Sequence, residues 1–124
     1  MNKIMAFVFS LAAFSCFSQQ VCELPEALCS ALAEYELADA ELNNTYRQIL
    51  QKIAADEFAD YRVAKADIKD SLVKGQRAWL KYRDANCEAY YTLFSGGTSR
   101  NVDRTQCLTE MTNTRVLLLK KVYF

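Results

Sequence analysis

The sequence predicts an all-α fold, a compact antiparallel three-helix bundle with long first and second helices, stapled by two disulfides. Three observations predict it. Chain breakers are scarce, one proline and three glycines in 124 residues, so a helix can run long before anything stops it. Apolar residues recur at spacings of three and four, the period of one helical face. Beyond an export-type leader, four cysteines remain, an even set of the kind that staples small domains.

The leader comes first. Lys3 supplies a positive charge, Ile4 to Phe14 form an apolar run broken only by Ser10, and Ser15, Ser18, Gln19 and Gln20 give a small and polar exit. Residues 1–18 are therefore expected to be a signal peptide, cleaved after Ser18, leaving one domain over residues 19–124. The apolar run is too short for a bilayer, which needs roughly 20 residues. A rival route would make Cys16 a lipidated first residue. Ala13-Phe14-Ser15-Cys16 fits it poorly, because bulky Phe14 stands where a small or β-branched residue is expected. Either route leaves Cys22, Cys29, Cys87 and Cys107. Four cysteines admit three pairings; chain proximity favours Cys22–Cys29 and Cys87–Cys107. With no histidine and no Cys-x-x-Cys spacing, no zinc site is expected. The protein is expected to be exported, periplasmic or secreted.

The first helix opens at Pro25, a residue suited to a first turn, with Glu23 and Glu26 at the positive end of the helix dipole. Its apolar seam reads Leu28, Leu32, Tyr35, Leu42, Tyr46, Ile49 and Ile53. Asp39 interrupts the seam and needs a partner. The second helix is expected to begin at Asp56 as N-cap, with a seam of Tyr61, Ile68, Leu72, Gly75, Trp79, Tyr82, Ala89 and Leu93. On that seam Gly75 would let an opposing backbone or ring approach closely. Gly96-Gly97 would end the helix in a left-handed cap. The third helix is expected from Asp103, with Gln106 completing a capping box. Its seam is Leu108, Met111, Leu118 and Val122, with Arg115 in the middle. A seam acid and a seam base predict a buried Asp39–Arg115 pair, with Arg83 as the competing partner and a role in helix register.

Composition excludes several functions. Losing Lys3 leaves fourteen basic against fifteen acidic residues, with no basic stripe for nucleic acid. Without histidine the usual general base is missing, and oxidised cysteines leave no thiolate nucleophile. No glycine-rich phosphate loop is present, and the carboxylates are spread along helix faces. No catalytic residues, cofactor, metal or transmembrane segment are expected. The charge is uneven, however. Between Gln19 and Tyr46 lie six acids, Glu23, Glu26, Glu34, Glu36, Asp39 and Glu41, and no base.

One run has a specific order: Gln76-Arg77-Ala78-Trp79-Leu80-Lys81-Tyr82-Arg83-Asp84-Ala85-Asn86-Cys87. It is preceded by Asp39 and by Glu41-Leu42-Asn43-Asn44-Thr45-Tyr46, and followed by Gly96-Gly97, Cys107-Leu108-Thr109 and Thr112 to Arg115. In content and order these elements resemble the LprI-type lysozyme-inhibitor family of small envelope and secreted proteins. The resemblance implies that Asp39, Asn43, Tyr46, Gln76, Trp79, Tyr82, Arg83, Asp84 and Arg115 are fold determinants, and that a lysozyme is a candidate partner. Two features depart from the family pattern. The Cys22 to Cys29 interval is short, and the stretch from Lys52 to Asp70 favours helix where relatives carry a variable connection.

Two functions follow as expectations. The first is lysozyme inhibition by occlusion, with Glu34, Glu36 and Glu41 of the acidic helix steering and docking a basic enzyme. The alternative is a non-catalytic binding or structural module of the envelope, for which Tyr90, Tyr91 and Phe94 form a candidate aromatic patch. Dimerisation through the second helix stays open.

Overall fold

Pro25 sets the start of α1. In the computed structural model, which describes residues 21–124, its carbonyl accepts from the N–H groups of Leu28 and Cys29, and α1 runs Glu26–Ala54. The expected signal segment and Cys16 lie outside the described residues. The helix ends in a Schellman arrangement: the Glu57 N–H donates to the Lys52 carbonyl and that of Asp56 to Ile53. Asp56 takes the left-handed position at φ 61°, where a short polar side chain costs less than most. The expected N-cap of the second helix is therefore the terminator of the first. A 3₁₀ turn at Ala59–Tyr61 and left-handed Arg62 complete the link, so the helix-favouring composition of this stretch yields to the two left-handed residues.

α2 runs Lys65–Leu93 and α3 runs Arg100–Tyr123. Between them, Gly97 N–H donates to the Phe94 carbonyl in a tight turn, and neither Gly96 nor Gly97 is left-handed. No residue of the link takes a positive φ, so the expected left-handed cap does not form. α3 starts three residues before Asp103, whose N–H donates to the Ser99 carbonyl. No side chain caps it, and the expected Asp103–Gln106 box gives way to an acid within the first turn.

The rungs between α2 and α3 pair 76 with 115, 83 with 112 and 87 with 107, rising along one helix as they fall along the other. The three helices thus run up, down and up. The most extensive contact is between α1 and α3, and the least is between α1 and α2. Small residues explain the close pair. Ala31, Ala38 and Thr45 recur every seven residues on α1, opposite Thr105 and Thr112 on α3, and all five are buried.

The core has two parts. Leu42, Ile49, Ile53, Leu72, Val116 and Leu119 form the larger cluster. Cys87, Cys107 and Leu108, with Tyr35 and Met111 against them, form the second. The α1 seam holds at its apolar centre, but the other two seams are rotated. On α2 the buried residues are Leu72, Gln76, Arg83 and Cys87, while Tyr82, Ala89 and Leu93 are exposed, as is Tyr61, which lies in the 3₁₀ turn before the helix. On α3 Leu118 and Val122 are exposed and Thr112, Val116 and Leu119 are buried. Nothing lies within 4 Å of a Cβ built on Gly75, so no opposing group approaches it. Among the described residues, no helix is long and apolar enough to cross a membrane.

Candidate functional site

The motif of α2 acquires a physical meaning from its spacing. Gln76, Trp79, Arg83 and Cys87 are separated by three or four residues and share one face. Each makes a rung to α3. Cys87 is bonded to Cys107. Arg83 Nη1 donates to Thr112 Oγ1 at 3.3 Å. Gln76 Oε1 accepts from Arg115 Nε at 3.0 Å, and the Arg115 guanidinium lies 5.6 Å from the Trp79 ring centroid. The second expected disulfide, Cys22–Cys29, also forms and ties the N-terminal segment to α1.

Arg83 is the node of this arrangement. Its buried guanidinium lies 5.7 Å from the Tyr35 ring centroid and 5.3 Å from that of Trp79. Nε and Nη2 each lie 2.9 Å from Asp84 Oδ1, and Nη1 lies 3.8 Å from Asp39 Oδ1. The Asp39 carboxylate also accepts from Asn43 Nδ2 at 2.9 Å. The arginine is inside while its carboxylates stay partly in water, the Asp39 side chain 41% and that of Asp84 57% exposed. Stacking and hydrogen bonds thereby offset the desolvation of one charge instead of three. Burial also pushes the Tyr35 hydroxyl above its ordinary pKa, against the opposing pull of Arg83.

The expected Asp39–Arg115 pair does not form; the competitor Arg83 takes Asp39. Asp39 sits on the flank of α1 that meets α2, whereas Arg115 lies in the crease between α3 and α2 beside Trp79. Burial lowers the pKa of Arg115, and no carboxylate pairs with it among the described residues. Tyr46 packs against the larger core cluster. Tyr82 is 61% exposed and outside the core.

The acids of α1 do not make one face. Glu34 and Glu36 are exposed, but two residues' separation sets them about 200° apart around the helix. Glu41, on the Glu34 side, is held by Lys120 Nζ at 2.5 Å. Glu36 borders a hollow of about 770 Å³ beside the Cys22–Cys29 disulfide. The aromatic patch also divides. Tyr90 and Phe94 are exposed with centroids 6.4 Å apart, whereas Tyr91 lies beneath the Arg100 guanidinium at 5.7 Å.

Thr112, fully buried at the node, and Lys120, the partner of Glu41, had no place among the sequence-derived site residues. The seven-residue spacing of Thr105 and Thr112 is a signal for the first. Lys120 is 79 residues from Glu41, and no local pattern joins them.

The family described as "Lysozyme inhibitor LprI" matches residues 25–119. A Rhizobium meliloti (strain 1021) protein described as uncharacterized, R02472, is 38% identical over 91 residues, covering 72% of this chain and 66% of its own length. The uncharacterized protein YecT of Escherichia coli (strain K12) is 36% identical over 55 residues, 44% of this chain and 34% of its own. The chain thus spans just under two thirds of the first relative and a third of the second. No solved structure matches significantly. With the match running from the first turn of α1 to the last turns of α3, the chain belongs to the lysozyme inhibitor LprI family.

Proposed function

We propose that the protein is an exported lysozyme inhibitor that acts by protein–protein occlusion, with the N-terminal half of α1 steering the enzyme. Family membership is the observation that carries the reading. Two disulfides are consistent with an oxidising, extracytoplasmic setting. The acid-only composition of residues 21–46 supplies a field suited to a basic enzyme. Asp39 is engaged by Arg83 and Glu41 by Lys120, which leaves Glu34 and Glu36 with nearby Glu23 and Glu26 as the source of that field. Because these acids lie on different sides of the helix, they favour steering over a single docking face.

The test is lysozyme turnover on peptidoglycan with increasing amounts of the oxidised protein at low and moderate salt. Saturable inhibition is expected. Charge reversal at Glu34 and Glu36 should weaken it and flatten its salt dependence, while reversal at Glu41 should do less. Inhibition unchanged in the double reversal would remove the acidic-helix mechanism; no inhibition of any lysozyme class would remove the function.

A further inference from the structure

The two disulfides differ in what surrounds them. Cys87 and Cys107 are buried and belong to the second core cluster. Cys22 and Cys29 belong to neither cluster. Cys22 is exposed, Cys29 is half-buried, and every residue from Val21 to Ala27 is exposed. The hollow of about 770 Å³ at this end of α1 is lined by both cysteines, so an outside thiol can reach the sulfur pair without parting a packed contact. Reach decides whether exchange occurs, since a thiolate must approach a disulfide sulfur directly.

Opening this bond leaves the bundle intact. It closes a separation of 7 residues, against 20 for the second disulfide, and the chain it holds, residues 21–25, is irregular and contributes no buried side chain. The start of α1 stands without it, since the Pro25 carbonyl accepts from the N–H groups of Leu28 and Cys29. A reduced Cys29 also has a partner in place, because its Sγ lies 3.3 Å from the Leu24 carbonyl oxygen, which can accept from the new S–H. The charges at this end of the bundle select the reagent. Glu23 and Glu36 line the hollow, and Glu26 stands in the first turn of α1. The two bases on the facing ends of α2 and α3 are engaged elsewhere, Arg104 with Glu88 and Arg100 with the Ser95 carbonyl. An anionic thiol such as glutathione is therefore repelled.

We propose that Cys22–Cys29 is a thiol–disulfide exchange site, opened in the folded protein by a dithiol without anionic neighbours, the chemistry of an oxidoreductase's Cys-x-x-Cys pair, while Cys87–Cys107 stays closed. One thiolate of the dithiol attacks the exposed Cys22 Sγ, the Cys22–Cys29 bond breaks, and Cys29 leaves as a thiolate that takes a proton. The second thiol of the reagent, as its thiolate, attacks the reagent's own sulfur in the mixed disulfide and releases Cys22, which is protonated in turn. The dithiol is oxidised by two electrons, the protein disulfide is reduced by two, and residues 21–25 come free of α1. The proposal does not rest on lysozyme inhibition.

The test uses the oxidised protein without denaturant, with dithiothreitol as the dithiol, alkylation by iodoacetamide at timed intervals and peptide mass mapping. Cys22 and Cys29 are expected to be labelled about 100-fold faster than Cys87 and Cys107, with the helical circular dichroism retained. In urea beyond the unfolding transition the ratio should fall to within about threefold, because the fold no longer shields Cys87–Cys107. At equal thiolate concentration and low salt, glutathione should attack more slowly than uncharged 2-mercaptoethanol, and added salt should narrow the gap. The proposal is overturned if both pairs open together in the folded protein, or if Cys22–Cys29 opens only as the helical signal is lost. A ratio that persists in urea, or glutathione attacking as fast as 2-mercaptoethanol, would overturn it equally.

Discussion

α3 meets its two neighbours by different means. Against α1 it presents shape: small buried side chains on both helices, Ala31, Ala38 and Thr45 on α1 and Thr105 and Thr112 on α3, let the backbones come close. Against α2 it presents chemistry: a disulfide, an arginine–threonine hydrogen bond, and a glutamine–arginine hydrogen bond beside a tryptophan stack. The first kind of contact is non-directional and depends on volume. The second depends on the positions of particular donors and acceptors, so it fixes the register of α2 along α3. Arg83 alone joins both systems, since it reaches α3 through Thr112 and α1 through Asp39 and Tyr35. The lesson is that α2, which touches α1 least, is held by directional groups where close packing is not available.

Breaking the node should have the largest effect. Arg83→Leu removes the stack and every polar rung at that level and leaves Thr112 Oγ1 buried without its donor. We expect a loss of about 3 kcal/mol in urea unfolding. Arg83→Lys should recover little, because an ammonium has neither the planar stack nor the fork. A loss no larger than that of a surface substitution would show that α2 is held by its apolar contacts alone.

The two disulfides sharpen the same contrast. Cys87–Cys107 closes a separation of 20 residues across two helices, whereas Cys22–Cys29 closes 7 within the N-terminal segment and the start of α1. Chain entropy predicts about 3 kcal/mol for the first and about 2 kcal/mol for the second. Cys87 is also fully buried, so its replacement by serine adds a polar group to the core. The double serine variants should therefore lower the unfolding midpoint unequally, more at 87 and 107. A difference of only about 1 kcal/mol would mean that the α2–α3 clamp adds nothing beyond loop closure, and equal losses would contradict the chain-entropy account itself.

The smallest effect belongs to the packed contact. Thr45 Oγ1 is buried without a hydrogen-bond partner, so its hydroxyl serves no directional purpose. Thr45→Val keeps the shape and removes the unsatisfied group, and should raise stability by up to about 1 kcal/mol in thermal unfolding. Destabilisation instead would show that the threonine hydroxyl is engaged.

Much of this was legible locally. The scarcity of breakers, the even cysteine set and the centre of the α1 seam at Leu42, Ile49 and Ile53 led to the helices and the staples. The α2 and α3 seams were legible as apolar stripes but not as core, because periodicity reports that a face is apolar and not what covers it. Gln76, Arg83 and Thr112 are buried although polar, and a pattern built on apolar residues passes over them. The motif order singled out Gln76 and Arg83, though not Thr112, without showing that they are rungs.

The sequence by itself determined what each segment can do: form a long helix, pair a cysteine, or carry an unbalanced charge. These follow from local propensity and composition, which act within a turn or two of the chain. Only the tertiary structure decided which faces meet. It gave Asp39 to Arg83 and not to Arg115, made Asp56 the end of one helix and not the start of the next, and left Trp79, Tyr82 and Leu118 along an open groove. The physical reason is that partner choice depends on the rotation of each helix about its axis, and that rotation is set by directional bonds and side-chain volumes contributed from all three helices at once.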